Sequence, residues 1–304
     1  MKGMHSPMFS SKRLKIEVTL YDYKMGESLS VGFARGKTLI FDDFRIDCKI
    51  KKTPSSSGYT ASVDIYGVSK EHLEQMTTLA WLSNGFIPPR KIRIYSDEGE
   101  GYHTLFEGGI MEAVPVYKNV PDVSIHIESS MLVYPNLMEV PPIPIKTGTN
   151  IPSFLKELCG NYNIECKIDS SLYGENWKGG TKEITGEGLG MRLDKLNEIG
   201  VAYDFMIDGI RFYKVGKPPK EKTWALNPSI YLGYPTFESY GICVETENTN
   251  LDINWGDYLK ITGSEVKVAL GKWLVNNIEY DLQARKPNGK WIMKIHASRM
   301  VENG

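Results

Sequence analysis

The chain has 304 residues, with 36 Lys and Arg against 37 Asp and Glu and a formal net charge of -1. At about 150 residues per domain this length suggests two domains, and 41% hydrophobic residues with 24% charged ones exclude a disordered chain. The charge balance excludes a general phosphate-coating surface, which needs clustered Lys and Arg, although a neutral channel for nucleic acid stays open. With 17 Tyr and 6 Trp, the composition leans toward β structure.

From Leu14 the pattern alternates strictly. Leu14, Ile16, Val18 and Leu20 are apolar, with Lys15, Glu17 and Thr19 between them, which predicts a half-buried strand. Phe44, Ile46, Cys48 and Ile50 repeat the period, as do Tyr59, Ala61, Val63 and Ile65 beyond a loop at residues 53–58, so the two form a hairpin. Ser69 is positioned to cap a helix running to about Trp81, with Leu73, Met76, Leu79 and Ala80 on one face. Asn84-Gly85 and Pro88-Pro89 then end it. Strands follow at Lys91–Tyr95, His103–Glu107 and Val123–Glu128, with a turn over residues 97–101. Antiparallel strands with one inserted helix make a small barrel or sandwich over about residues 12–145.

The proline-rich stretch Pro135–Pro152 reads as a linker or domain edge. Beyond it, helices at Ile151–Asn161 and Leu189–Ile199, a short strand at Glu165–Ile168, and strands 202–207 and 210–215 joined by Asp208-Gly209 predict a small α/β unit over about 146–216. Lys217-Pro218-Pro219-Lys220 reads as a second linker. The final region, 220–304, returns to β, with candidate strands at Gly241–Glu245, Tyr258–Thr262, Glu265–Ala269, Gly271–Tyr280 and Trp291–Ala297 and turns at residues 262–264 and 287–289. The fold class is therefore mainly β with α+β character.

No catalytic, cofactor or metal residues emerge. Cys48, Cys159, Cys166 and Cys243 are scattered and read as free thiols, with Cys159 and Cys166 flanking a turn where they could meet. His5, His72, His103, His126 and His296 never fall in a metal-ligand spacing, so any metal site has to be assembled by the fold. Gly186-Glu187-Gly188-Leu189-Gly190 precedes a helix, but its spacing is not that of a dinucleotide loop, and Asp208 sits in a hairpin turn rather than at a ribose. These glycines read as easing the approach to a helix. Asp42-Asp43 reads as the solvated start of a strand, and Met1, Met4, Met8, Ser10, Ser11 and Lys12 as a polar arm. With no signal-peptide core and no apolar run of membrane-spanning length, the chain is expected to be soluble and made in the cytoplasm.

The order of these elements resembles the baseplate hub proteins of tailed bacteriophages. Phe44-Arg45-Ile46-Asp47-Cys48-Lys49-Ile50-Lys51-Lys52, a Ser-rich turn, and Ala61-Ser62-Val63-Asp64-Ile65-Tyr66-Gly67-Val68-Ser69 look like the hub strand pair that ends in an "IYNLS"-like stretch, with Gly67-Val68 in place of Asn-Leu. Residues 253–261, with Gly256-Asp257, are similar to the family's "pGD-v-i" pattern, and residues 273–280 and 289–295 look like its final hairpin. The resemblance, over about residues 12–300, implies two tube-like β-barrel domains, 12–145 and 220–304, plus the small α/β domain. It also implies a homotrimeric ring joining the tail tube protein to the central spike protein, lining the DNA conduit, and meeting tape measure and other baseplate proteins in the virion. The reading is of a structural protein without enzymatic activity, cofactor or specific nucleic-acid binding. The alternatives are a tail-associated cell-wall-degrading enzyme, or a carbohydrate- or receptor-binding module using exposed aromatics such as Trp177, Tyr231 and Tyr234.

Overall fold

A computed structural model of the chain describes residues 12–22, 34–53, 58–77, 90–119, 122–207, 209–217, 222–239 and 241–299. In chain order the elements are β1 (Arg13–Asp22), β2 (Ala34–Asp42), β3 (Ile46–Lys52), β4 (Thr60–Tyr66), α1 (Lys70–Met76), β5 (Arg90–Asp97), β6 (His103–Asn119) and β7 (Asp122–Ser130). Then come α2 (Val133–Leu137), β8 (Ile143–Ile145), α3 (Ile151–Asn161), β9 (Glu165–Ile168), β10 (Lys182–Ile184), α4 (Leu189–Lys195), β11 (Val201–Met206) and β12 (Gly209–Lys214). The last are β13 (Thr223–Leu226), β14 (Thr236–Glu238), β15 (Gly241–Thr246), β16 (Tyr258–Ile261), β17 (Gly271–Ala284) and β18 (Trp291–Arg299).

Strands from both ends of the chain belong to one thirteen-stranded sheet. Its order is β14-β15-β18-β17-β3-β4-β7-β6-β5-β1-β2, with β16 paired to β17 and β13 to β16. The junction is β17 on β3, antiparallel, in a register that places Tyr280 opposite Ile50 and Leu282 opposite Cys48. The alternation read in the sequence determines how the sheet is dressed. Ile46, Cys48, Ile50, Ala61, Val63, Ile65, Ile125, Ile127, Ile278, Tyr280, Leu282, Met293 and Ile295 are buried on one face. The intervening polar side chains point the other way, because successive residues of a strand alternate sides.

A half-buried carboxylate knot, centred on Glu98, reinforces the junction. Glu98, in the turn after β5, accepts through Oε1 from Thr249 N (2.8 Å), Thr249 Oγ1 (2.6 Å) and Trp291 Nε1 (2.8 Å). Thr249 and Trp291 are both buried, so these donors have little water to turn to. Nearby, Asp97 Oδ1 accepts from the amides of Gly99 and Gly101, which shapes the turn predicted over 97–101.

The middle of the chain packs a three-stranded sheet, β11-β12-β9, and the β8–β10 pair against α3 and α4. Phe154, Leu155, Leu158, Leu189, Leu193 and Leu196 are buried, as their helical spacing predicts. Asn150 caps α3 by accepting from Ser153 N (3.1 Å), and Tyr59 Oη donates to Phe205 O (2.7 Å), tying this unit to the large sheet.

Several expectations need correction. Pro135–Pro152 is not a free linker: it contains the end of α2, all of β8 and the start of α3. Ile143 and Ile145 alternate into the core, and the buried Arg192 guanidinium donates to the carbonyls of Val140 and Pro141, which a proline-rich stretch cannot satisfy from its own missing amides. Glu265–Ala269 is not a strand. Residues Lys267–Ala269 form a 3₁₀ turn, because the Ser264 hydroxyl accepts from Val266 N and Val268 is left in solvent. Leu189–Ile199 divides into α4 and a 3₁₀ turn over Leu196–Ile199, closed by Gly200 at positive φ. The helix capped by Ser69 ends at Met76, where Thr77 leaves the helical backbone, short of the expected end near Trp81, and residues 78–81 lie outside the described residues. So do residues 54–57, 84–85, 88–89, 208 and 218–220 and the polar arm before Lys12.

Candidate functional site

The extensive feature of the molecule is the polar face of the large sheet, and it is built by cross-strand pairing. Glu245 of β15 stands opposite Lys294 of β18, Lys294 opposite Glu279 of β17, and Glu279 opposite Lys51 of β3. The charges alternate along this row. Lys294 Nζ lies 2.6 Å from Glu245 and Lys51 Nζ 3.7 Å from Glu279. Directly opposed unlike charges stabilise a sheet, whereas like charges at that separation oppose pairing.

Further along, Asp64 of β4 faces His126 of β7. The ring nitrogens of His126 lie 2.9 Å from Asp64 Oδ1 and 3.0 Å from Glu128 Oε1, which suits a protonated ring donating on both sides. Partial burial opposes the charged ring, but the two carboxylates outweigh it and raise His126 above its ordinary pKa. At the β5–β6 end, Glu107 accepts from Lys91 (2.9 Å) and Arg93 (2.5 Å). Burial works against that carboxylate, yet the two cations hold it below the usual range. Glu17 receives Lys15 at 3.0 Å and the Tyr95 hydroxyl at 2.9 Å, and Glu17, Thr19, Tyr21, Ile92 and the Lys91–Arg93–Glu107 group line a shallow polar hollow.

Along the row from Glu245 to Lys51 and around Glu107 the face is therefore charged yet locally compensated, while Asp47–Asp64, Glu112–Glu128 and Lys260–Lys272 oppose like charges. Lys51, Lys91 and Lys294 are engaged by carboxylates, so these three are poorly placed to grip a polyanion, whereas Lys260 stands opposite Lys272 rather than a carboxylate. The surface can present a hydrated wall or meet another polar surface.

The residues weighed in the sequence are disposed as follows. Gly188 has φ +84°, and an added Cβ there would lie 2.5 Å from backbone atoms of Asn136. The amide of Gly190 is taken by Asn136 Oδ1 at 2.8 Å, so the glycine turn packs against α2. Asp42 accepts from the Tyr102 hydroxyl (2.6 Å) while Asp43 pairs with Arg285, so the two carboxylates serve different partners. Cys48, Cys159 and Cys243 are buried and Cys166 is half-buried, all as free thiols. Cys159 and Cys166 do meet. The Cys159 thiol hydrogen-bonds the Cys166 sulfur, which lowers Cys166 below its ordinary pKa and raises Cys159. Of the aromatics, Tyr231 is buried and Trp177 is partly buried, donating to Gly180 O (2.7 Å), while Tyr234 is exposed with its hydroxyl on Glu265 (2.7 Å). They form no common platform. No helix among the described residues is long and apolar enough to cross a membrane.

Two features escaped sequence reasoning. Alternation marks which residues share a face of one strand, but not that β3 and β17 are neighbours. Nor does it place Cys243 beside His296, which face each other across β15 and β18.

No protein-family model and no characterised protein sequence matches the chain. Solved structures do. A component of the Escherichia coli type VI secretion system, itself similar in structure to the T4 bacteriophage tail proteins gp27 and gp5, superposes with a TM-score of 0.57 at 12% identity, over 85% of this chain and 74% of that one. The 43 kDa tail protein of prophage MuSo2 from Shewanella oneidensis gives 0.59 at 10% identity over 95% and 98%. The tail protein of Neisseria meningitidis MC58 gives 0.56 at 9% identity over 94% and 96%. The resemblance read in the strand order is thus carried by the fold, which this chain shares with these phage tail proteins and the type VI secretion component.

Proposed function

We propose that the protein is a structural baseplate hub: a homotrimeric ring that joins the tail tube protein to the central spike protein of a phage tail and lines its DNA conduit. In this reading residues 12–145 and 220–304 are two tube-like β-barrel domains, and residues 146–216 a small α/β domain outside the ring. The protein is made in the host cytoplasm, ends in the virion, touches tape measure and other baseplate proteins, and carries no enzymatic activity.

The observation that supports this most is the sheet whose polar face continues from one half of the chain to the other. Facing inward in a ring, that face gives a hydrated wall on which Glu245, Glu279, Glu107 and Asp64 occupy the neighbouring Lys and His side chains. Double-stranded DNA then passes without accumulating the cationic contacts that would hold it. Closure of the ring also covers strand edges that would otherwise be open to adventitious pairing.

Light scattering of the purified protein tests the assembly, with three chain masses expected and rings in electron micrographs. A monomer at micromolar concentration, with no ring density in tails, overturns the hub reading.

A further inference from the structure

We propose that Glu238, Cys243 and His296 form a binding site for a divalent, borderline-soft metal ion of the zinc class at the β14 edge of the large sheet. Among the described residues, these three bring one ligand atom each within 4.8 Å of one another. Zinc coordination places thiolate, imidazole and carboxylate atoms ~2.0–2.3 Å from the ion, so small side-chain rotations bring all three onto one centre.

The geometry follows from the sheet register. Cys243 and His296 are directly opposed on β15 and β18, so their side chains leave the same face side by side. Glu238 stands opposite Gly241, which has no side chain to separate it from the pair. The Glu238 carboxylate reaches His296 Nδ1 at 3.0 Å from each oxygen. His296 Nε2 is buried with no hydrogen-bond partner, an unusual state for a ring nitrogen and one that leaves the ring free to turn onto a ligand.

The electrostatics fit a cation. Cys243 is buried, with Glu238, Glu245 and Glu279 as the surrounding negative charges and Lys294 as the opposing one. A divalent ion reverses that balance. It binds the thiolate, the Cys243 proton leaves to solvent, and the thiolate and Glu238 carboxylate together neutralise the two positive charges. Three protein ligands leave a fourth tetrahedral position for water. The structural effect is to fasten β14, a three-residue edge strand, to the body of the sheet. The site stands independently of the hub reading.

Cobalt(II) is the probe, added to the chelator-stripped full-length protein. The expected result is one equivalent bound with a thiolate-to-cobalt charge-transfer band and tetrahedral d–d bands, displaced stoichiometrically by zinc. Cys243→Ser removes the charge-transfer band, and the Cys159→Ser/Cys166→Ser double variant keeps it. Glu238→Gln, at an exposed position that tolerates change, weakens zinc binding beyond the ~10–100-fold seen for altered outer-shell partners. Zinc raises the melting temperature of the wild type and not that of these ligand variants. A band that survives Cys243→Ser, or Glu238→Gln binding zinc as tightly as the wild type, overturns the site.

Discussion

Removing the Glu98 carboxylate tests whether the two halves of the chain are held as one sheet by specific chemistry. In Glu98→Ala, Thr249 N and Trp291 Nε1 lose their acceptor, now at 2.8 Å, and Thr249 Oγ1 loses its nearer one at 2.6 Å and keeps Ser96 Oγ at 3.3 Å. A hydrogen bond to a charged acceptor contributes ~1.5–3 kcal/mol, and a buried donor left unmatched costs ~1–3 kcal/mol. Glu98 itself is half-exposed, so water reaches part of the vacancy, and the three bonds share one oxygen. The lower end for two of the three gives about 3 kcal/mol. With a urea slope of ~3 kcal/mol per molar for a chain this long, the unfolding midpoint falls by about 1 M. Glu98→Gln keeps a neutral acceptor oxygen and loses about 1 kcal/mol. Equilibrium urea unfolding, followed by tryptophan fluorescence because Trp291 sits in the knot, measures both variants. An alanine variant within ~0.5 kcal/mol of wild type, or a glutamine variant worse than alanine, refutes the argument.

Other outcomes follow from the same structure. Because Asp64 and Glu128 raise His126 in the folded protein, its share of stability is fully present below the unfolded value near 6.5 and is lost as pH rises through the raised folded value. An NMR titration therefore gives a midpoint above 6.5, and His126→Gln flattens this part of the stability–pH curve. Gly188→Ala combines a φ of +84° with a Cβ 2.5 Å from Asn136 backbone, and thermal unfolding is expected to show a loss of at least ~2 kcal/mol. Under limiting iodoacetamide, mass spectrometry finds Cys166 alkylated first and Cys48 last, since the neighbouring Cys159 thiol lowers Cys166 whereas full burial raises Cys48. Uniform labelling of the four thiols counts against that assignment.

Much of the local structure was legible, because period-two alternation is enforced residue by residue. Ile46, Cys48 and Ile50 face the core as read, and so do Val63 and Ile65. The glycine turn before α4 is likewise structural, as its spacing indicated. What stayed hidden depends on groups far away in the chain. Pro141-Pro142 looks like a linker until Arg192 supplies its carbonyls with donors. Glu265–Ala269 looks like a strand until the Ser264 hydroxyl bends it. The polar face was predictable one strand at a time, but its row from Glu245 to Lys51 needs the register of four strands at once. His296 and Cys243 are more than fifty residues apart in the chain, and antiparallel pairing makes them neighbours regardless.

The pairing of β3 with β17 has a consequence for biosynthesis. Lys52 meets Ile278, and Ile50 meets Tyr280, so the exposed margin of an early strand waits for a partner more than two hundred residues downstream. At ~5–20 residues per second, that margin emerges from the ribosome roughly 10–45 s before it can be covered. Lys49, Lys51 and Lys52 along β3 give the waiting strand a density of positive charge that discourages pairing between nascent chains on neighbouring ribosomes. Lys49 and Lys51, which stand opposite Asp281 and Glu279 in the finished sheet, thus act first as a guard against aggregation during translation, and Lys52 is later buried against Tyr280.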